Sequence, residues 1–381
     1  MESVRKNIIS GVKRIVLKVG SRLLVDENLI PCKKRIAELV EQIASLRERG
    51  LEVILVSSGA ISAGMSVLGW EKRPKELTEL QAAAATGQSK IMSMYEDECR
   101  KRGFHCGQLL LTADDVKNRK RHLNFSNCLN ALLRNKVLPI INENDCISVE
   151  EICFGENDYL AALVSIISKA ELTVLLTSVN GMYEKKADGS FGERLPIIDE
   201  FSAEIKLMAS GTDGNQLSTG GMATKLKAAE AVTQVGESLW IVDGREFGVI
   251  SQLIEAEDVG TLFPGSEEKM RSHKRWMAFF PEVSGVLKID NGAVKALTGN
   301  GGSLLPRGIK EVLGEFAKGD ILEVQDSTGK LIAKGAANYN SEELNLIKGK
   351  KTTDIMELLG YHIYDEAVHR DNMVLLNSED E

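Results

Sequence analysis

Nowhere in this sequence do two cysteines stand in a C-x-x-C pair, and none of the five histidines lies at metal-ligand spacing from the six cysteines, Cys32, Cys99, Cys106, Cys128, Cys146 and Cys153. Neither a zinc site nor a disulfide framework is indicated, and reduced core thiols are the expected state. Long apolar runs are missing too. Stretches such as VLPII and TVLL fall far short of the roughly 18 residues a membrane span requires, and no hydrophobic signal segment opens the chain, so no membrane partner is expected and the expected location is cytoplasmic. Positive charge is in deficit: 47 Lys and Arg face 55 Asp and Glu, a formal charge of -8, which argues against a polyanion-binding role for the chain as a whole. No low-complexity tract or internal repeat is evident. The phosphate-binding loop G-x-x-x-x-G-K-[ST] is absent, since the pairs Gly329-Lys330 and Gly349-Lys350 are each followed by the wrong residue. His369-Arg370-Asp371 matches a protein-kinase catalytic loop, but no D-F-G follows, and the match is a coincidence.

What is present fits a soluble globular protein of two domains: 381 residues, 43% hydrophobic and 27% charged, enough to bury a sizeable core. Short β-rich runs, RIVLKVGS, LEVILVSSG, GQLLLT, VLPIINEND, ELTVLLTS and SLWIVDG, alternate with amphipathic stretches over residues 33–49, 76–102, 121–135, 158–169 and 222–235. That alternation is the pattern of a parallel α/β sheet. The first domain is expected over residues 1–270, ending near Gly265. Beyond the basic connector EEKMRSHKRW the text turns to glycine-punctuated strands, GVLKID, GDILEVQD and GKLIAKGAANY, which predict a small β-rich domain over 284–361 and an acidic tail over 362–381.

Three strand runs end in small or polar residues: Lys18 to Ser21, Ser57 to Ala60, and Thr177-Ser178. In open α/β sheets ligands gather at such carboxyl ends, where helix N-termini offer free N–H groups. Lys18 interrupts the apolar run IVLKVG, and a buried lysine is costly unless it is paired or serves a site. A second lysine, Lys225, follows the glycine turn of STGGMATKLKAAE. The stretch from Ile141 to Leu163 carries two Asn/Asp clusters, Asn142 to Asp145 and Glu156 to Asp158. Asn157 or Asp158 could be a helix N-cap, which accounts for one cluster and not both. A pair of such clusters can bind an amino-acid zwitterion, an aspartate taking the ammonium and amides the carboxylate.

The stretches VLKVGS, VSSGAISAG, GQLLLTADD, PIINENDCIS, GENDYLAALVS and STGGMATKLKAAE resemble the glutamate 5-kinases of the amino acid kinase superfamily, and GSLLPRGIKEVLGEFAKGDILEV resembles the PUA domain. The resemblance spans nearly the whole chain and is loosest before Ile15. It implies a three-layer α/β/α sandwich with a mainly parallel sheet, followed by a PUA β-barrel. It also implies transfer of phosphate from ATP, with Mg2+, to the side-chain carboxylate of L-glutamate as the first step of proline synthesis. Lys18, Lys225 and Asp158 match the family's catalytic positions, the lysines flanking the transferred group and the aspartate orienting both. Ser58, Gly59, Ala60, Asp145 and Asn157, with Asn142 nearby, match its glutamate site. Lys18, Thr177, Ser178, Thr219, Gly220, Gly221, Met222, Ala223, Thr224 and Lys225 match its nucleotide site. No protein metal site is implied. Proline is the implied feedback inhibitor and a dimer or tetramer the implied assembly. Two positions depart from the usual pattern: Thr177-Ser178 replaces Thr-Asp, and Gly155-Glu156-Asn157-Asp158 replaces GDND. The competing readings are a superfamily kinase for acetylglutamate, aspartate, carbamate or uridylate, and an RNA-binding PUA protein. Against the latter, Ser284 to Tyr361 holds ten Lys or Arg and ten Asp or Glu, 10 - 10 = 0, a poor balance for binding a phosphate backbone. RNA binding is not expected.

Overall fold

A seven-stranded sheet forms the centre of the first of two compact units, and its strand order explains where polar residues collect. The computed structural model describes residues 2–26, 30–112, 115–116, 119–147, 157–185, 190–209, 221–266 and 283–376. The first unit comprises residues 1–116 and 120–269, the second 117–119 and 270–381. In chain order the strands of the first are β1 (Arg14–Val19), β2 (Glu52–Val56), β3 (Cys106–Leu111), β4 (Leu138–Glu143), β5 (Leu172–Thr177), β6 (Met182–Lys185), β7 (Phe191–Leu195), β8 (Ser238–Asp243) and β9 (Thr261–Phe263). The helices are α1 (Glu2–Gly11), α2 (Ser21–Leu24), α3 (Lys33–Glu48), α4 (Ala60–Leu68), α5 (Leu77–Lys101), α6 (Arg119–Arg134), α7 (Asn157–Ser168), α8 (Ala203–Ala209), α9 (Met222–Gln234) and α10 (Val249–Ile254).

The sheet runs β3-β4-β2-β1-β5-β8-β9, parallel except for the edge strand β9. From β1 the chain builds outward through β2 and β4 on one side and through β5 and β8 on the other. The reversal of direction opens a crevice beyond the carboxyl ends of β1 and β5. Strand alternation divides β1 between two layers. Ile15, Leu17 and Val19 join the core shared with α3, α5 and α10, while α7 packs over β1, β4 and β5 on the other face and against α9. Helix α7 is buried along nearly its whole length, because it lies against the centre of the sheet and is flanked by α9. The parallel strands are correspondingly apolar on both faces, as IVLKV and VILV already read.

Helices α4 and α5 cross with almost no separation. A Cβ built on Gly64 would stand 1.8 Å from the Ala83 carbonyl oxygen, and one on Gly87 would stand 1.7 Å from that of Ala60. Only glycine permits such an approach of two backbones. The antiparallel hairpin β6–β7 lies outside the main sheet; it and α1 are elements the sequence reading did not anticipate.

The second unit has its own sheet, ordered β11-β10-β12-β13-β14, with β10 (Gly285–Ile289), β11 (Ile309–Leu313), β12 (Ile321–Gln325), β13 (Leu331–Ala336) and β14 (Met373–Leu375). Its own core includes Leu287, Ile309, Leu322, Val324, Tyr339 and Val368. The expected boundary at Tyr361 is corrected here. Ala367, Val368, Met373 and Val374 are buried, and β14 pairs with β13, so 362–376 completes the sheet instead of trailing from it. A three-residue strand carries too little periodicity to be read locally, and long-range pairing supplies its stability. The connector EEKMRSHKRW and residues 377–381 lie outside the described residues.

Candidate functional site

Lys18 is the penultimate residue of β1, and its side chain turns to the α7 face, where Asp158 stands on the first turn of that helix. Lys18 Nζ lies 2.6 Å from Asp158 Oδ1. Lys225 Nζ, from the first turn of α9, lies 3.1 Å from Asp158 Oδ2. Asp158 is fully buried and the two lysines nearly so. Burial by itself pushes the Asp158 carboxyl up, but Lys18 and then Lys225 outweigh it and hold the group below the usual carboxylate range. The N-terminal end of α7 adds the favourable end of its dipole. One buried carboxylate thus meets two ammonium groups, one from β1 and one from α9.

The alternative of a plain helix cap does not describe these side chains. Asp158 faces the lysines with both oxygens, and Asn157 reaches across to two strand ends. Asn157 Nδ2 donates toward the Ser57 carbonyl at 2.6 Å, Ser58 Oγ at 2.8 Å and Asn142 Oδ1 at 2.9 Å. The amide thus ties the carboxyl ends of β2 and β4 to the start of α7, with Asn142 Oδ1 also accepting from the Glu143 N–H. Gly59 adopts a left-handed φ of 90° before Ala60 opens α4, which fixes the tight turn at Ser58–Ala60. The α4–α5 crossing sets where that turn sits. Beneath it, Ser57 Oγ and the hydroxyl of buried Tyr95 lie 3.0 Å apart, and burial pushes the Tyr95 hydroxyl up.

Asp145 stands in the turn after β4. Burial raises its carboxyl to about 6, with Arg73 pulling the other way. Neighbouring Glu143 is raised to about 7 by burial and by the charge of Asp145. Two carboxylates that resist ionisation in one half-buried turn mark a place where an ammonium group would be welcome.

On the other side of Lys18, Thr177 closes β5 and Ser178 follows it. Gly221 caps α9, and Met222, Ala223, Thr224 and Lys225 form its first turn. Thr219, Gly220, Gly155 and Glu156 lie outside the described residues. Sequence reasoning did not single out Asp243 and Arg245. Asp243, paired in register with Thr177, is held below the usual carboxylate range, Arg245 outweighing burial. Nor did it single out the Gly64 and Gly87 contact, whose signal was the small-residue spacing in AISAG and AAAATG. Among the described residues no group of three or more His, Cys, Asp or Glu could hold a metal ion, and no helix is long and apolar enough to cross a membrane.

Comparison with known proteins shows the family. Residues 13–243 match the model of the amino acid kinase family, and residues 285–359 that of the PUA domain. The chain is 42% identical to the glutamate 5-kinase of Chromohalobacter salexigens over 98% of this chain and 99% of that protein. It is 42% identical to that of Syntrophotalea carbinolica over 98% and 100%, and 43% identical to that of Caldanaerobacter subterraneus over 95% and 98%. Among solved structures, a carbamate kinase from Giardia lamblia bound to AMP-PNP is similar to 68% of this chain and 100% of its own, at 18% identity and a TM-score of 0.48. On the strength of the sequence relatives, the chain belongs to the glutamate 5-kinases of the amino acid kinase family and carries a PUA domain behind its kinase domain.

Proposed function

We propose that this chain transfers the γ-phosphoryl group of ATP to the side-chain carboxylate of L-glutamate, giving ADP and L-glutamyl 5-phosphate, the first step of proline synthesis. The observation that carries the reading is the buried Lys18–Asp158–Lys225 bridge beside the Ser58–Asn142–Asn157 cluster. A carboxylate oxygen attacks the γ-phosphorus, the bond from that phosphorus to the β,γ-bridging oxygen breaks, and its electron pair leaves with ADP. No proton need move, so catalysis reduces to alignment and to neutralising charge on the phosphate oxygens. Lys18 and Lys225 supply that neutralisation, and Asp158, held ionised, keeps both aimed.

Asp145 takes the substrate ammonium. Ser58, Gly59, Ala60, Asn142 and Asn157 hold the rest of the glutamate. Thr219, Gly220, Gly221 and the first turn of α9, Met222 to Lys225, receive the phosphates, the helix N-terminus offering free N–H groups, and Thr177 and Ser178 face the remainder of the nucleotide. With both oxygens of Asp158 engaged by lysines, magnesium fits as an ion carried in by the phosphates of ATP rather than by a protein cage. It would offset phosphate charge when bound. The same reading includes proline as a feedback inhibitor competing at the glutamate site, a homodimer or homotetramer, and a cytoplasmic setting. Residues 1–270 are its catalytic domain, and residues from 284 to Leu376 its PUA domain.

ATP-dependent formation of glutamyl hydroxamate from glutamate and hydroxylamine tests the acceptor directly. ADP release measured across glutamate, acetylglutamate, aspartate, carbamate and uridylate should be fastest with glutamate by a wide margin. A preference for any other acceptor overturns the reading.

A further inference from the structure

Helix α1 precedes the stretch matched by the kinase family, which begins at residue 13, yet it carries a charge into the interior. Arg5 is 3% exposed, and its guanidinium pairs with Asp258. Asp258 also takes Arg194 of β7 at 2.7 Å. Arg5 is the buried member of this set, so loss of its partner Asp258 would leave a buried guanidinium uncompensated.

Asp258 heads a short segment, residues 258–261, that fastens both ends of the β6–β7 hairpin. Arg194 donates to the carbonyls of Asp258, at 3.2 Å, and of Gly260. The Gly260 N–H donates to Asn180 Oδ1 at 2.8 Å, and the Met182 N–H donates to Thr261 Oγ1 at 2.7 Å. Thr261 Oγ1 in turn donates to the Leu195 carbonyl at 2.6 Å. There is no slack in this buckle: Gly181 has φ +90°, and a Cβ there would stand 2.3 Å from Thr261 Oγ1. Asn180 is only two residues past Ser178. The buckle therefore sets the direction in which the chain leaves the carboxyl end of β5.

We propose that Arg5 is a positioning residue for the nucleotide half of the site. From α1 it fixes Asp258, and through residues 258–261 it fixes the root of the hairpin beside Thr177 and Ser178. The inference rests on the reading of Thr177 and Ser178 as facing the nucleotide. It assigns to a helix outside the matched kinase stretch a role in ATP affinity and none in holding glutamate, whose residues lie in the turn from β2 into α4, at and after the end of β4, and on α7.

Steady-state kinetics on full-length Arg5→Ala and Asp258→Asn provide the test. The second change falls on a side chain that is 58% exposed and keeps its shape. In both variants the KM for ATP should rise about fivefold or more, with kcat and the KM for glutamate within about twofold of the parent. The double variant should be little worse than either single one, because both break the same linkage. Arg5→Lys, which restores the charge, should recover part of the ATP affinity. An unchanged ATP KM in folded protein, or a parallel rise of both KM values, overturns the proposal. Should Arg5→Ala fail to fold, Asp258→Asn decides alone. Calorimetric titration with a non-hydrolysable ATP analogue, without glutamate, reads the same loss as a weaker Kd. If the parent binds that analogue yet does not phosphorylate glutamate, the acceptor assignment falls, and the Kd of the variants still decides the role of Arg5.

Discussion

Two lysines sharing one buried carboxylate make a sharp prediction at the scale of single residues. Lys18→Ala and Lys225→Ala should each lower kcat at least about a hundredfold, because each removes a cation aimed at charge that grows in the transition state, an effect on the order of 3 kcal/mol. The glutamate KM should hardly move. Parent-like turnover in either variant would remove that lysine from the mechanism. Asp145→Ala should act on binding instead, raising the glutamate KM far more than the ATP KM; equal effects on both would indicate structural damage. The raised carboxyl of Asp145 also gives the reaction a pH signature. Asp145 must be ionised to pair with an ammonium, and in the free protein it gains its proton near pH 6. As pH falls through that value the glutamate KM should climb, approaching tenfold per unit below it, while Asp158, held low by its lysines, stays ionised. A glutamate KM that is flat from pH 7.5 to pH 5 would exclude Asp145 as the ammonium partner.

At the scale of elements, the α4–α5 crossing links helix packing to the substrate turn. Gly87→Ala adds one carbon where the Ala60 carbonyl already stands, so the helices must part. Urea unfolding should show a loss of about 1 to 3 kcal/mol, and the displaced Ser58–Ala60 turn should weaken glutamate binding in the same variant. Unaltered stability would mean that the two helices adjust without strain. The strand runs and the long helices were legible in the sequence to within about two residues: VLPIINEND contains β4, and the helix expected over 76–102 is Leu77–Lys101. Their signals are local, a period of two or of 3.6 within one stretch. Helix α1 and the β6–β7 hairpin went unread. The only buried residue of α1 is a charged one, Arg5, and its partner stands 253 positions away.

For the whole molecule, each unit encloses its own sheet and core, and every residue assigned to chemistry lies before Leu226. A chain truncated between Gly265 and His273 should still phosphorylate glutamate, with its stability, its assembly or its response to proline altered. Loss of all activity in a soluble, folded truncation would show that the PUA domain helps build the site. With a net charge of zero between Ser284 and Tyr361, the full-length chain should bind RNA no more tightly than roughly micromolar at physiological salt. A nanomolar, salt-resistant shift on a gel would overturn the charge argument.

By itself the sequence determined most strands of the main sheet and its longest helices, because alternation, glycine stops and apolar content act within a few residues of one another. It also marked Lys18 as out of place in an apolar run, and through family resemblance it named the lysines and Asp158. The local pattern alone left Asn157 and Asp158 open between a cap and a site. Tertiary structure decided which groups these side chains meet, by folding β1, α7 and α9 together so that one carboxylate meets lysines from positions 18 and 225. It likewise decided that Asn157 binds two strand ends, that residues past Tyr361 close a sheet, and that Arg5 reaches Asp258. Each of these is a contact between residues distant in the chain. Such contacts depend on how layers stack and not on any neighbour in sequence, so no local periodicity records them.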